Sequence, residues 1–323
     1  MFVKNTVNRL IIIDGNAILH RAFHALPPLT APDGTLVHAV YGFTSMLLRL
    51  VTDLTPTHLA VTFDRPAPTF RKKLYADYQI KRPKMDDGLA GQIPLVHDVV
   101  TAMHLPIFEQ DGFEADDMIG SLCRKYAKKV DQIIVVTGDK DILQLATETT
   151  KIYMPTKGLS EAKLYGMKET QERLGVTPTQ IPDYKALAGD SSDNYPGVPG
   201  IGPKTAADLL KTFGTIENLY ASIDTTKDTT ISPHVKAKLI AHKDLAILSK
   251  TLATIKQNIK MKTAIKPIVI EQFSTQKVIA VLQSFGFHSL IKRLQTPKGT
   301  EKPAVKKQKE ERQKTIDEQM SLI

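Results

Sequence analysis

Short apolar runs alternate with amphipathic segments along the first half of the chain. Runs of apolar and β-branched residues predict four buried strands, at 10–13, 59–63, 105–108 and 133–137. Apolar side chains at helical spacing predict helices between them, at 35–54, 93–103 and 115–128. Strand–helix alternation is typical of a mainly parallel central sheet flanked by helices. We therefore expect an α/β domain over residues 1–165.

The pattern changes beyond residue 165 to helices joined by turns rich in Gly and Pro. Helices are predicted at 181–188, 204–213, 216–221, 235–249 and 278–285. We expect an α-helical domain over 166–294. Residues 295–323 are rich in Lys, Glu and Gln, which predicts a flexible charged tail.

The charge balance favours an acidic partner. The 323-residue chain carries a formal net charge of +9, with 42% hydrophobic and 24% charged residues, which excludes wholesale disorder. The tail holds seven basic and five acidic residues, so most of the excess belongs to the folded body. Nucleic acid is the commonest acidic partner, and a merely basic soluble protein is the alternative.

Cysteine content and hydropathy indicate the compartment. The single cysteine, Cys123, rules out an intrachain disulfide and a cysteine metal cluster, and we expect it to lie in the core. The apolar run at 10–13 is too short for a signal peptide or a membrane span. We expect a cytoplasmic protein that contacts no membrane.

Carboxylates follow the ends of the predicted strands. Since the carboxyl ends of parallel strands form one edge of a sheet, we expect these acids to meet in one crevice, together with two acids from the loop 189–194. The set comprises Asp14, Asp64, Glu114, Asp116, Asp117, Asp139, Asp141, Asp190 and Asp193.

Taken singly, each acid has an ordinary structural explanation as a turn residue or at a helix N-terminus. Gathered together, they would repel one another unless a cation compensated them. An all-oxygen set suits Mg²⁺, with Mn²⁺ able to substitute, rather than zinc. Two such ions about 3.5–4 Å apart would clamp the attacking and leaving oxygens of a phosphoryl displacement.

Six segments in this order resemble the 5′→3′ exonuclease/flap endonuclease family, in particular the N-terminal nuclease domain of bacterial DNA polymerase I. They are Ile13-Asp14-Gly15-Asn16, Phe63-Asp64, Glu114-Ala115-Asp116-Asp117, Thr137-Gly138-Asp139-Lys140-Asp141, Gly189-Asp190-Ser191-Ser192-Asp193-Asn194 and Gly197-Val198-Pro199-Gly200-Ile201-Gly202-Pro203-Lys204-Thr205-Ala206. The resemblance covers about residues 8–290. It implies a PIN/resolvase-like α/β domain followed by a helical domain with a helix–hairpin–helix turn.

The resemblance also implies two-metal hydrolysis of phosphodiesters at the 5′ side of branched or nicked DNA, in RNA primer removal and repair. Asp14, Asp64, Glu114 and Asp116 would hold the first metal. Asp141, Asp190 and Asp193 would hold the second, with Asp139 or Asp117 nearby. Asp14, Asp116 and Asp141 would be catalytic together with Arg21, which would contact the reacting phosphate. Without the resemblance, Arg21 would be a surface arginine.

Residues 65–84, the basic segment, interleave cations with aromatic residues. This composition is typical of a single-strand channel, or of a solvated helix face with its apolar side packed. The resemblance implies a basic arch near 65–92, with Arg71, Tyr78 and Arg82 on the DNA. The family usually has lysine where this chain has Gln79, which leaves Lys81 or Arg82 to compensate.

The glycine-rich stretch from Gly197 to Ala206 predicts a helix–hairpin–helix turn, with a plain Gly/Pro turn as the alternative. Gly200, Gly202 and Lys204 would contact phosphates without reading base sequence. The resemblance adds a K⁺ ion at this turn.

The chain ends Gln319-Met320-Ser321-Leu322-Ile323, which resembles a sliding-clamp binding peptide. Gln319, Leu322 and Ile323 would contact the clamp; the alternative is the end of an unstructured tail. We expect a monomeric bacterial protein at the nucleoid, acting on 5′ flaps, nicks or RNA primers, beside a polymerase in trans. A non-catalytic branched-DNA-binding module and a metal-dependent phosphatase are the competing hypotheses.

Overall fold

A six-stranded sheet organises the first half of the molecule. The structure is a computed structural model that describes residues 7–157, 161–224 and 230–295. The strand order is β3-β2-β1-β4-β5-β6, with β6 antiparallel to β5 and the other neighbours parallel. The strands are β1 Arg9–Asp14, β2 His58–Thr62, β3 Ile107–Phe108, β4 Gln132–Val136, β5 Thr150–Lys157 and β6 Glu161–Tyr165.

The central strand β1 is buried on both faces, which explains its unbroken apolar run. Leu10 and Ile12 pack into one core layer, and Ile11 and Ile13 into the layer on the opposite face. The run ends at Asp14, which pairs in register with Thr62 of β2. The strand therefore delivers its first polar side chain at the carboxyl edge of the sheet.

Helices cover both faces of the sheet. The Ile11/Ile13 layer holds α1, α2 and α5 together with the C-terminal helices α13 and α14. The Leu10/Ile12 layer holds α6 and the helices α8 to α12. The helices are α1 Gly15–Ala25, α2 His38–Leu54, α3 Phe70–Leu74, α4 Asp87–Ala90, α5 Ile93–Ala102, α6 Ala115–Tyr126, α7 Met167–Leu174, α8 Ile181–Ala188, α9 Pro203–Phe213, α10 Ile216–Asp224, α11 Pro233–Ala241, α12 Lys243–Ala253, α13 Gln276–Ser284 and α14 His288–Gln295.

The predicted fold class, a mainly parallel sheet flanked by helices and followed by a helical region, is confirmed. Helices α1, α7 and α14 have no counterpart among the predicted helices, and three further details differ. The hairpin β5–β6 was not predicted, because its strands mix lysines and glutamate with apolar residues at the sheet edge. The helix predicted at 235–249 breaks at His242 into α11 and α12. The third strand is shorter than predicted, since His104 at φ 54° turns the chain just before it.

No helix within the described residues is both long and apolar enough to cross a membrane. Helix α14 ends at Gln295. The predicted charged tail and the clamp-like peptide at 319–323 lie outside the described residues.

Candidate metal centre

Asp14 joins the central strand to the first helix. It is the last residue of β1 and the N-cap of α1, where its Oδ1 accepts a hydrogen bond from the Ala17 N–H (3.0 Å). Its Oδ2 accepts from the Thr137 hydroxyl (2.7 Å), at the end of β4. Only 4% of Asp14 is exposed, and burial raises its pKa to about 7 despite these two donors.

Asp116 lies among the other strand-end acids. It stands in the first turn of α6, the helix that follows β3. Burial raises the pKa of Asp116 well above its usual range, and the neighbouring carboxylates of Asp139, Asp14, Glu114 and Asp64 raise it further. The structure thus brings together acids from four separate strand ends, as the sequence predicts.

Glu114 and Asp64 are fixed by the start of α6. Asp64 Oδ1 accepts from the Ala115 N–H (2.7 Å). Glu114 is the N-cap of the helix; its Oε1 accepts from the Thr69 hydroxyl (3.0 Å) and its Oε2 from the Tyr78 hydroxyl (3.2 Å). Burial raises the pKa of Glu114 to about 7, although the Arg71 guanidinium opposes the shift.

Asp117 has both carboxylate oxygens engaged inside the protein, which speaks against its predicted role as a metal ligand. It is fully buried, and Arg71 binds both its oxygens through two bonds of 2.7 and 2.8 Å. Its Oδ1 also accepts from the Lys256 backbone N–H (2.8 Å). Successive helix residues point about 100° apart, so Asp116 and Asp117 serve different surroundings.

The same contacts correct the prediction that Arg71 binds DNA. Only 2% of Arg71 is exposed, and its guanidinium donates to the carbonyls of Leu252 (2.8 Å) and Thr254 (3.1 Å) as well as to Asp117. Arg71 therefore joins α3 to α6 and to the end of α12. Its charge is paired with groups inside the protein and is not available to a phosphate.

Tyr78 is also buried, which speaks against its prediction as a DNA contact. It is 3% exposed and its ring stacks on that of Tyr195 at 6.4 Å. Its hydroxyl lies between Glu114 Oε2 (3.2 Å) and Asp193 Oδ2 (3.3 Å). Tyr78 therefore links Glu114 to Asp193 through its hydroxyl, and its ring packs inside the protein instead of facing a nucleotide.

A second group of acids lies beside the first. Asp141 opens a 3₁₀ turn at Asp141–Leu145, and Asp190 and Asp193 come from the loop after α8. Among the described residues, these three alone offer carboxylate oxygens that all lie within 4.8 Å of one another. Asp141 and Asp190 border an open crevice of about 540 Å³.

Lys185 of α8 was not predicted at this site. Its ammonium forms ion pairs with Asp141 and with Asp190. Burial nevertheless raises the pKa of Asp141 to about 7. The available sequence signal was weak: a lysine in the last turn of the helix that leads into the acidic loop.

Asp139 lies between the two groups. Its Oδ1 accepts from the Asp141 N–H (2.8 Å), and its own N–H donates to Thr137 Oγ1 (3.0 Å). Its charge raises the pKa of Asp14, Asp116 and Asp141. Asp139 therefore lies within electrostatic reach of acids in both groups, and the oxygen-only donors of the two groups fit hard divalent cations.

Two predicted phosphate contacts are arginines on different segments. Arg21 lies on α1, about two turns beyond Asp14. Arg82 lines the crevice with 55% of its side chain exposed, and its Nη2 lies 3.3 Å from Asp193 Oδ1.

The predicted helix–hairpin–helix turn lies between α8 and α9. Gly200 has φ +79°, a conformation that favours glycine, and its carbonyl accepts from Lys238 Nζ (3.1 Å). Gly202 is the exposed N-cap of α9, with φ −92° and open space where a Cβ would stand. Lys204, in the first turn of α9, is exposed.

Two family models match consecutive parts of the chain. Residues 9–175 match the 5′-3′ exonuclease N-terminal resolvase-like domain, and residues 176–276 match the 5′-3′ exonuclease C-terminal SAM fold. The matched ranges include every acid of the crevice.

Similar proteins include DNA polymerase I of Bacillus caldotenax, 38% identical over 299 residues that make up 92% of this chain and 34% of that protein. DNA polymerase I of Bacillus subtilis (strain 168) is 39% identical over 286 residues, 88% of this chain and 32% of that protein. The chain thus spans about a third of the length of these curated relatives. A solved structure of T5 5′-exonuclease with bound divalent metal ions (zinc) shares the fold, at TM-score 0.63 and 20% identity, covering 88% of this chain and 99% of that one.

Proposed function

The chain belongs to the 5′-3′ exonuclease family, and from this membership we propose that it hydrolyses DNA phosphodiester bonds with the help of divalent cations. It acts as a 5′→3′ exonuclease and as a structure-specific 5′ flap endonuclease. The observation that carries the proposal is the acidic crevice, where burial raises the pKa of Asp14, Glu114 and Asp141 to about 7. Bound cations would offset the repulsion between these carboxylates and stabilise their ionised forms.

Two groups of residues hold the two ions, with Mg²⁺ the proposed metal and Mn²⁺ its substitute. When bound, the ions activate water and stabilise charge on the scissile phosphate. Asp14, Asp64, Glu114 and Asp116 would hold the first ion, and Asp141, Asp190 and Asp193 would hold the second. Asp139 adds negative charge between them.

Basic side chains of the protein orient the substrate. Arg82 reaches the crevice with half of its side chain exposed, and Arg21 stands on the neighbouring helix α1. A guanidinium can hold phosphate oxygens with two parallel bonds and stabilises charge developing on the reacting phosphate. Lys185 holds Asp141 and Asp190 close together without metal.

The turn between α8 and α9 binds the duplex part of the substrate. Gly202 leaves open space in front of the α9 N-terminus, and Lys204 adds a cation beside it. Backbone amides recognise phosphates and not bases, so cleavage depends on DNA structure rather than sequence. A K⁺ ion bound at this turn belongs to the same proposal.

The substrates are DNA with 5′ flaps, nicks or RNA primers, in replication and repair. The relatives that match are DNA polymerases I of about three times this length. A polymerase acting in trans, and a sliding clamp held through Gln319, Leu322 and Ile323, are the proposed partners of the monomer.

The test uses a duplex with a 5′-labelled flap, incubated with Mg²⁺ and separately with EDTA. Release of a labelled fragment only with Mg²⁺ supports the proposal. Binding without cleavage under both conditions would favour the alternative, a non-catalytic branched-DNA-binding module. The glutamine at position 79, where the family usually has lysine, is the feature that favours this alternative. Neither binding nor cleavage, with hydrolysis of small phosphate esters, would point to a phosphatase.

A further inference from the structure

Hydrogen bonds at Asp193 and Asn194 join the basic segment to the acidic loop. The backbone N–H of Gln79 donates to the Asp193 carbonyl (2.8 Å), and the Gln79 side-chain amide donates to Asp193 Oδ1 (2.9 Å). From the other side of the contact, the Asn194 amide donates to the carbonyl of Asp77 (2.9 Å). Gln79 reaches this position with φ +56°, so the backbone there adopts a conformation that most residues avoid.

The Gln79 amide is the shortest side-chain contact to the Asp193 carboxylate. Arg82 Nη2 and the Tyr78 hydroxyl lie farther away, each at 3.3 Å. A carboxylate has about four acceptor directions, so these donors orient it without using all of them. One Asp193 oxygen lies within 4.8 Å of carboxylate oxygens of Asp141 and Asp190. Side chains that orient a metal ligand in this way change metal affinity by about 10- to 100-fold when removed.

We propose that Gln79 is the positioning residue of the Asp141/Asp190/Asp193 group: its amide orients Asp193 for the cation while tying the basic segment to the acidic loop. This inference rests on the proposed function, because it takes the acidic group as a metal site. Gln79 is neutral, so it orients the carboxylate without adding to the positive charge of Arg82, which lies 3.3 Å from the same oxygen. A lysine at the same position would donate equally well but would repel the ion.

The experiment measures Mn²⁺ binding to the full chain without DNA by electron paramagnetic resonance, and hydrogen exchange of the peptide covering 75–84. Gln79→Ala removes the donor, and Gln79→Lys keeps a donor but adds charge. Ile80→Ala is the matched control, since Ile80 is 59% exposed and adjacent in the segment.

Gln79→Ala should weaken one class of Mn²⁺ sites about tenfold and speed exchange in the segment. Gln79→Lys should keep the exchange slow, yet weaken Mn²⁺ binding at low salt, with recovery as salt rises. Ile80→Ala should stay within twofold of the parent in affinity.

Faster exchange in Gln79→Ala with unchanged Mn²⁺ affinity would overturn the inference, because Gln79 would then only fasten the segment. Unchanged exchange and affinity would overturn it as well. A parent chain that binds no Mn²⁺ would instead overturn the metal centre of the proposed function, and the inference with it.

Discussion

Arg71 and Asp117 form a buried ion pair with two parallel bonds of 2.7 and 2.8 Å between residues 46 positions apart in the chain. The pair ties α3 to the start of α6, where Glu114 and Asp116 stand, and Arg71 also reaches the backbone at the end of α12. The same guanidinium lies 3.3 Å from Glu114 Oε2, so this buried salt bridge also positions an acid of the crevice.

Arg71→Ala should destabilise the protein by about 3–5 kcal/mol, because it leaves the Asp117 charge buried without its partner. Urea denaturation followed by circular dichroism measures the change. Arg65→Ala is the matched control, since Arg65 is an exposed arginine on the same segment that pairs with Glu109 and Asp111 at the surface. Equal effects of the two substitutions would contradict the assigned role of Arg71.

Metal-free stability should fall as pH rises. The pKa values of Asp14, Glu114 and Asp141 are about 7 in the folded protein, against 3.8–4.5 in their ordinary state. The folded chain therefore binds more protons than the unfolded chain between about pH 4 and 7, and its free energy of unfolding decreases across that window.

Mg²⁺ should reverse this loss, because it stabilises the ionised carboxylates. The rise in Tm on adding Mg²⁺ should be larger at pH 8 than at pH 5.5, measured by differential scanning fluorimetry with NaCl of matched ionic strength as the control. The same rise at both pH values would show that these carboxyls do not bind the ion.

Two glycines of one turn should respond differently to alanine. Gly200 has φ +79° and a Cβ there would stand 2.5 Å from Lys238 Nζ, so Gly200→Ala should cost about 1–2 kcal/mol of stability. Gly202→Ala meets no atom within 4 Å and should leave stability unchanged.

The Gly202→Ala variant then isolates DNA binding. A methyl group in front of the α9 amides should weaken binding of a nicked duplex severalfold, measured by fluorescence anisotropy. Lys204→Ala should reduce the slope of log K against log[salt] by about 0.9, the effect of one phosphate contact. Unchanged affinity and slope would make the segment an ordinary turn.

Much of the crevice could be predicted because its acids are close in sequence to the strands that position them. Asp14 ends an apolar strand, Asp64 and Asp139 follow two others within three residues, and parallel strands bring their ends to one edge. The roles of Asp116 and Asp117 could not be separated in this way, since both open the same helix. Only the position of Arg71, far away in sequence, decides that Asp117 is a structural partner.

In the basic segment, by contrast, the sequence did not predict which side chains are buried. Its composition suits a DNA channel, yet Arg71 and Tyr78 are buried while Arg82 is exposed. Cations and aromatics carry no sequence signal of burial when their partners, here Asp117 and Tyr195, lie in other elements. The edge hairpin β5–β6 was missed for a related reason, because a half-exposed edge has no continuous apolar run.

Deleting residues 319–323 should leave flap cleavage by the free enzyme unchanged, because every predicted catalytic residue lies before residue 194. It should remove co-migration with a sliding clamp loaded on DNA. The control is a chain with the same five residues in scrambled order, compared by gel filtration. Equal clamp binding by the full and truncated chains would refute the proposed contact.

Single-turnover cleavage of a 5′-flap duplex by Asp141→Asn tests the central claim, that the acids of the crevice form the metal centre of a nuclease. The asparagine keeps the size of the side chain and removes its charge. We predict a rate at least a thousandfold below the parent in Mg²⁺, roughly 4 kcal/mol of lost transition-state stabilisation. Flap affinity in EDTA should stay within threefold of the parent, because no phosphate contact is lost. Cleavage within tenfold of the parent rate would contradict the account.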